Sequence, residues 1–140
     1  MTSELRVDNL KGSTTGGSIN VLGEGTSATT NLQQGLCKAW VHVHNNASID
    51  DSFNISSITD NARGDFSFNF ATAMANSNYV YLSTSEVGSG NISIAQLVAN
   101  TLSGRTTAAV RFQYFQIQTL SGGGNTVEPA AAAVAVFGDQ

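Results

Sequence analysis

The stretch F-N-I-S-S-I-T-D-N-A-R-G-D-F-S-F-N-F, residues 53–70, alternates apolar and polar residues on either side of a short polar segment. Phe53, Ile55 and Ile58 carry the first run, and Phe66, Phe68 and Phe70 alternate strictly with Ser67 and Asn69. A period of two marks a strand with one buried face, because successive side chains point to opposite sides of a sheet. Between the runs, residues 59–65 are polar and hold one glycine, so the stretch reads as a β-hairpin. Gly64 can supply the positive φ of a hairpin loop with a bulge. The three phenylalanines of the second strand face one way, into a core or a subunit interface, and Phe53 is assigned the same packing role.

Outward from the hairpin, the same period recurs. Lys38 to His44, K-A-W-V-H-V-H, puts Ala39, Val41 and Val43 on one face and Trp40, His42 and His44 on the other. Bulk on both faces predicts a strand covered on both sides, with Trp40 a packing or interface residue. Residues 45–48 form a turn, and Ile49-Asp50-Asp51 lead into the hairpin. Further strands are expected over 79–83, over 91–95 with an extension through Leu97 and Val98, over 108–119, and over the alanine- and valine-rich end from Ala130 to Phe137. Turns are expected at 87–90 and 121–125. About seven strands at roughly 8–12-residue spacing predict an antiparallel β-sandwich, jelly-roll-like in outline. The first third differs. Leu5, Val7 and Leu10 alternate weakly, G-S-T-T-G-G at 12–17 is a flexible connection, Ile19-Val21-Leu22 is a brief β segment, and residues 31–34 can form a helical turn. It has too few apolar residues to fold alone and must dock on a partner. The expected organisation is an N-terminal arm, residues 1–35, and a β-sandwich domain, residues 36–140.

Composition narrows the function classes. Of 140 residues, 41% are hydrophobic and only 11% charged, against roughly 25% charged in an ordinary soluble protein. Ser, Thr, Asn and Gly take the place of charge. With a net charge of −4 and no basic patch, binding to a phosphate backbone is excluded, so no nucleic-acid partner is expected. No apolar run approaches the ~20 residues of a membrane span. No signal peptide is evident at residues 1–10, so a cytosolic product, or one released by lysis, is expected. Cys37 is the only cysteine, which rules out an intrachain disulfide.

Several residues bear chemistry. His42 and His44, two apart on a strand, point the same way and can meet one metal ion. Two ligands are too few for a closed site, and a pair of histidines packed or solvated on a sheet face is the plainer reading, so no metal or other cofactor is expected. Asp50, Asp51, Asp60 and Asp65 supply oxygens, but no calcium-loop pattern joins them, and they read as turn and hairpin-cap residues. G-S-T-T-G-G lacks the G-K-[ST] ending of a phosphate loop. Cys37 has no well-placed base in His42 or His44 and no fixed carboxylate to orient one, so a small buried thiol is expected. Trp40, Tyr79, Tyr81 and Tyr114 can stack on sugar rings, although core or interface packing is the commoner use of such residues. No catalytic residue is expected. A glycosidase needs two carboxylates at a defined separation, and here the acids are scattered apart from Asp50-Asp51.

The blocks G-L-C-K-A-W-V from Gly35, D-S-F-N-I-S-S-I-T-D-N at 51–61, G-D-F-S-F-N-F-A-T-A-M at 64–74 and V-A-V-F-G at 134–138 resemble a module of tailed-bacteriophage virion proteins of tail-fibre or capsid-decoration type. S-E-L-R-V-D-N-L-K-G-S-T-T-G-G-S-I at 3–19 is similar to the opening segment of many phage fibre proteins. The resemblance covers most of the chain, except 80–134. It implies a non-enzymatic structural component of the virion, assembled in the host cytoplasm: a homotrimeric short fibre, spike or decoration. The arm would hold other capsid or tail proteins and the β-domain would face outward. The alternative reading is a receptor-binding fibre tip for host-surface glycans, with loops at 88–90 and 122–125 as contacts. Where the family often has Asn, this chain has His42 and His44, so a metal there is not implied by the resemblance. Ala62-Arg63 also replaces a more glycine-rich turn.

Overall fold

The computed structural model of the chain describes residues 4–16, 19–23, 25, 27–44, 47–86, 92–97, 104–117 and 124–140. The chain divides into two units, Met1–Leu36 and Cys37–Gln140. In the first, β1 (Asn20–Leu22) pairs antiparallel with β2 (Thr29–Asn31), and a single helical turn, α1 (Leu32–Gly35), follows. Asn31 caps that turn: its Oδ1 accepts from the backbone N–H of Gln33 at 2.9 Å and of Gln34 at 3.2 Å, which satisfies two of the free donors at a helix start. Residues 4–16 contain no strand, and Leu5, Val7, Leu10, Val21 and Leu22 are all at least half exposed.

The second unit is a sandwich of two antiparallel sheets. The strands are β3 (Cys37–His44), β4 (Ser48–Phe53), β5 (Ile55–Ala62), β6 (Asp65–Phe70), β7 (Val80–Glu86), β8 (Ile92–Leu97), β9 (Ala109–Ile117), β10 (Gly124–Thr126) and β11 (Ala131–Phe137). One sheet has the order β4-β3-β11-β7. In the other, β9 is flanked on one edge by β8 and on the opposite edge by β6 and then β10, with β5 outside β6.

The hairpin at 53–70 is present but tighter than the sequence predicts. β5 runs on through Thr59, Asp60, Asn61 and Ala62, and the turn is Arg63-Gly64, with Gly64 at φ 67°. Phe53 is not part of it. It ends β4 in the opposite sheet, and Asn54, at φ 56°, carries the chain across. Asparagine suits that corner because it tolerates the left-handed region and its amide can replace lost backbone bonds. Its Nδ2 donates to the carbonyls of Lys38 (3.0 Å) and Thr72 (3.1 Å), and its Oδ1 accepts from the Thr72 N–H at 2.7 Å. The residues predicted as a loop at 121–125 are part strand: Gly124 and Asn125 pair with Ile117 and Gln116. The turn expected at 87–90 lies outside the described residues.

The core sits between the sheets, and the two faces complement each other. β6 and β9 contribute Phe66, Phe68, Phe70, Val110, Phe112 and Tyr114, while β3 and β11 contribute Ala39, Val41, Val43, Ala132, Val134 and Val136; all are buried. Aromatic bulk on one sheet thus meets a flat Ala/Val face on the other. Each buried phenylalanine contributes about 1.5–3 kcal/mol by removal from water. The rings meet edge to face, Phe68 on Phe112 at 5.9 Å and, across the sandwich, Tyr81 on Phe112 at 5.3 Å, the arrangement that ring quadrupoles favour.

One ion pair is built into the hairpin. Asp65, 4% exposed, accepts from Arg111 Nε at 2.7 Å and Nη2 at 2.6 Å. Its place on β6 and its partner correct the expectation that Asp65 is a turn cap. Asp50, Asp51 and Asp60 likewise lie on strands, in β4 and β5.

Candidate functional site

The two outer faces of the sandwich have opposite character. On the outside of β5 and β6, polar side chains bond one another: Asn69 Nδ2 donates to Ser57 Oγ (3.1 Å) and Thr59 Oγ1 (2.9 Å), and Asn61 Nδ2 to Ser67 Oγ (2.9 Å). That face is finished against water. The outside of the four-stranded sheet is not. The register sets Phe53, Trp40, Ala135 and Leu82 in one row across β4, β3, β11 and β7, and Phe53, Leu82 and the neighbouring Val80 are more than half exposed. The strand predicted to be covered on both sides is therefore covered on one, among the described residues of the second unit. Phe66, Phe68 and Phe70 lie in the core, whereas Trp40, 36% exposed, and Phe53 lie on this outer face.

The alternating alanines of β11 shape this face into a groove. Ala133 and Ala135 floor it, between Trp40 and His42 on one side and Leu82 and Thr84 on the other, and it encloses about 260 Å³. A second depression of about 190 Å³ continues it past Ala131 toward Glu86. The walls stand on β3 and β7, two strand spacings or roughly 10 Å apart. One end of the groove is apolar and the other polar.

At the polar end, Asp50 bridges both histidines. His42 Nδ1 lies 2.8 Å from Asp50 Oδ2, and His44 Nδ1 is in contact with Asp50 Oδ1, each an ion pair when the ring is protonated. The rings are about half exposed and the carboxylate one third. A β-bulge creates this contact. His44 pairs with Ser48 and Val43 with Ile49, but His42 pairs with Asp51, which leaves Asp50 as the extra residue. A bulge bends its strand and re-aims a side chain, and here it sets the carboxylate between the two rings. Asp51 on β4 and Glu86 on β7, in the row of His44 and Ala131, make the surroundings acidic. Among the described residues no three His, Cys, Asp or Glu form a ligand set for one ion.

The remaining chemistry-bearing residues are not brought to this site. Cys37 is half-buried and its thiol donates to the Ala39 carbonyl at 3.1 Å. Tyr79 and Tyr114 are core residues. Burial pushes both phenols up to about 12, against backbone and Arg105 interactions at Tyr79 and the Ser83 hydroxyl at Tyr114. Tyr81 packs on Phe112. Of the four aromatics able to stack on a sugar, Trp40 alone stands at the groove. Arg111 is held charged still more firmly than usual by its hydrogen bonds to Asp65. No helix among the described residues is long and apolar enough to cross a membrane.

Sequence reasoning missed Asp50 as the partner of the histidines. The turn read at 45–48 brings residue 51 opposite residue 42, as the structure has it, and Asp50 is the extra residue of the bulge, which no counting along the sequence reaches. No known protein family, curated protein or solved structure matches this chain.

Proposed function

We propose that this chain is a non-enzymatic structural component of a bacteriophage virion. It acts as a homotrimeric short fibre, spike or decoration, with its N-terminal arm on other virion proteins and its β-domain outward. One observation carries the reading. The outer face of β4-β3-β11-β7 exposes Phe53, Leu82 and Val80 in a continuous apolar area, while the outer face of β5-β6 is closed by side-chain hydrogen bonds. Contiguous apolar surface rimmed by polar residues marks an interaction site. The arm carries the same message: its exposed leucines and valines need partner surface to order them. The resemblance of residues 51–74 to phage virion modules supplies the identity of that assembly.

The test is the mass of the purified chain by light scattering, together with antibody labelling of purified particles. A trimer, and label at a fixed position on capsid or tail, are expected. A monomer at all concentrations refutes the trimer, and absence from particles refutes the virion assignment.

A second reading, a receptor-binding tip for host-surface glycans, is favoured by the groove itself. Trp40 lines its apolar end, and Thr84, Glu86 and His42 offer hydrogen bonds at the other. The 88–90 loop lies outside the described residues, as do 122 and 123, so this reading moves to the sheet face. A glycan array with no binding, or binding unchanged in Trp40→Ala, would count against it.

A further inference from the structure

We propose that residues 5–11 from the arm of a neighbouring copy add as a strand to the open edge of β7 and run parallel to it. β7 pairs with β11 over its whole length without a break in register, and among the described residues no strand lies on its other side. Such an edge presents a row of backbone N–H and C=O groups ready to pair with another chain, and proteins ordinarily blunt it with charge, proline or a bulge. The opposite edge of the same sheet is blunted in this way: β4 carries the bulge at Asp50 and the acidic pair Asp50-Asp51. β7, V-Y-L-S-T-S-E, has no proline, no bulge and no charge before Glu86 at its end. Its outer side shows Val80, Leu82, Thr84 and Glu86 in turn, all exposed.

The arm of a second copy supplies the complement. L-R-V-D-N-L-K, residues 5–11, sets Leu5, Val7, Asn9 and Lys11 on one parity. Laid parallel to β7 with Leu5 beside Val80, the strand brings Val7 beside Leu82, Asn9 beside Thr84 and Lys11 beside Glu86. Two apolar pairs, a polar pair and an ion pair thus follow in the same order. An antiparallel strand over the same residues would set Leu5 against Glu86 and Lys11 against Val80. Residues 4–16 contain no strand, and Leu5 and Val7 are exposed. Neither Lys11 nor Glu86 has an ion-pair partner among the described residues. In strand addition, main-chain hydrogen bonds give affinity and alternate side chains give specificity. The inference rests on the proposed homotrimer: an arm given to one neighbour and an edge offered to the other is a head-to-tail contact, the kind that closes into a ring. It assigns residues 5–11 to the sister chain and leaves the arm from Gly12 onward to other virion proteins.

The experiment uses the full chain with Cys37→Ser, which removes the only native thiol. Chains carrying Val7→Cys are co-expressed with chains carrying Leu82→Cys, one of the two enlarged by a tag, and the purified assembly is oxidised. A disulfide joining the two unequal chains is expected. Val7→Cys with Ser57→Cys, on the hydrogen-bonded outer face of β5, should give none. Asn9→Cys with Thr84→Cys should also link, since an antiparallel strand would carry Asn9 to Val80 instead. Lys11→Glu is expected to weaken association by roughly 2–5-fold at each contact in light scattering, and Glu86→Lys in the same chain to restore it. The side chains replaced at 7, 9, 11, 57, 82, 84 and 86 are all exposed, and thermal melts confirm that the variants fold. A trimer without the link from 7 to 82 overturns the strand addition and leaves the trimer standing. A monomer at all concentrations overturns the trimer and this inference with it. A link from 7 to 82 without one from 9 to 84 overturns the parallel register, and failure of Glu86→Lys to restore association overturns the pairing of Lys11 with Glu86.

Discussion

Gly64→Ala tests how the hairpin tip is held, and its cost can be worked from the structure. The residue sits at φ 67°. Alanine in that region costs roughly 1–2 kcal/mol, less about 0.4–1 kcal/mol because the unfolded chain loses freedom. The contact is the larger effect. A Cβ at this position would lie 2.4 Å from the Val127 carbonyl oxygen and 2.9 Å from its nitrogen, so one of two backbones must retreat by an amount on the order of 1 Å. Three hydrogen bonds lock them together. The Tyr114 N–H donates to the Gly64 carbonyl (2.7 Å), the Val127 N–H to the Tyr114 carbonyl (3.0 Å), and the Gly64 N–H to Glu128 Oε1 (2.8 Å). Loss of two neutral bonds at about 1 kcal/mol each, or of the charged one at about 1.5–3, follows from any such shift. The expected total is about 1.5–4.5 kcal/mol, a fall in Tm of roughly 5–20 °C. Urea denaturation followed by far-UV circular dichroism measures it. Gly64→Asn separates the two causes, because asparagine accepts the left-handed region yet carries the same Cβ. A cost of about 1 kcal/mol or less for alanine, or rescue by asparagine, would refute the contact argument and leave only the backbone angle.

Phe68→Ala should cost about 3–5 kcal/mol, since the ring is fully buried against Phe112 and cannot be replaced by collapse of a tightly packed sandwich; urea denaturation reads this. Arg111→Ala leaves the buried Asp65 carboxylate with only the Asn61 amide at 3.4 Å and should cost about 1.5–3 kcal/mol by the same assay, with Arg111→Lys restoring only part because it lacks the planar fork. The phenols of Tyr79 and Tyr114 ionise near 12 in the folded chain against about 10 when unfolded. The folded state therefore holds more protons over that interval, and stability that is whole below pH 10 is lost as pH rises toward 12. Tyrosinate absorbance at alkaline pH should rise together with unfolding, and ionisation of all three tyrosines near pH 10 with the fold intact would contradict this. Phe53→Ser with Leu82→Ser should leave the melting temperature within a few degrees, because both side chains are exposed, while lowering the associated mass by light scattering.

The sequence by itself determined the fold class of this protein and which residues share a strand face. Alternation places Ala39, Val41 and Val43 on one face of their strand and Phe66, Phe68 and Phe70 on one face of theirs, because successive side chains of a pleated backbone point to opposite sides. The sandwich follows from that. Strand ends were less legible. Thr59 to Ala62 are turn formers by composition but strand by pairing, because Phe66 and Ser67 supply ladder partners that local propensity does not register. Phe53 was assigned to the wrong sheet for the same reason: nothing in F-N-I signals that Asn54 turns the chain across the sandwich. Only tertiary structure decided which face of β3 would be covered. Both parities carry bulk, and the choice came from β6 and β9, whose aromatic faces demand the flat Ala/Val surface opposite. Trp40, His42 and His44 were left outside, beside the alanines of β11. The bulge that aims Asp50 at both histidines is likewise a property of the pairing, since one extra residue in β4 shifts a side chain that the sequence alone places in a turn.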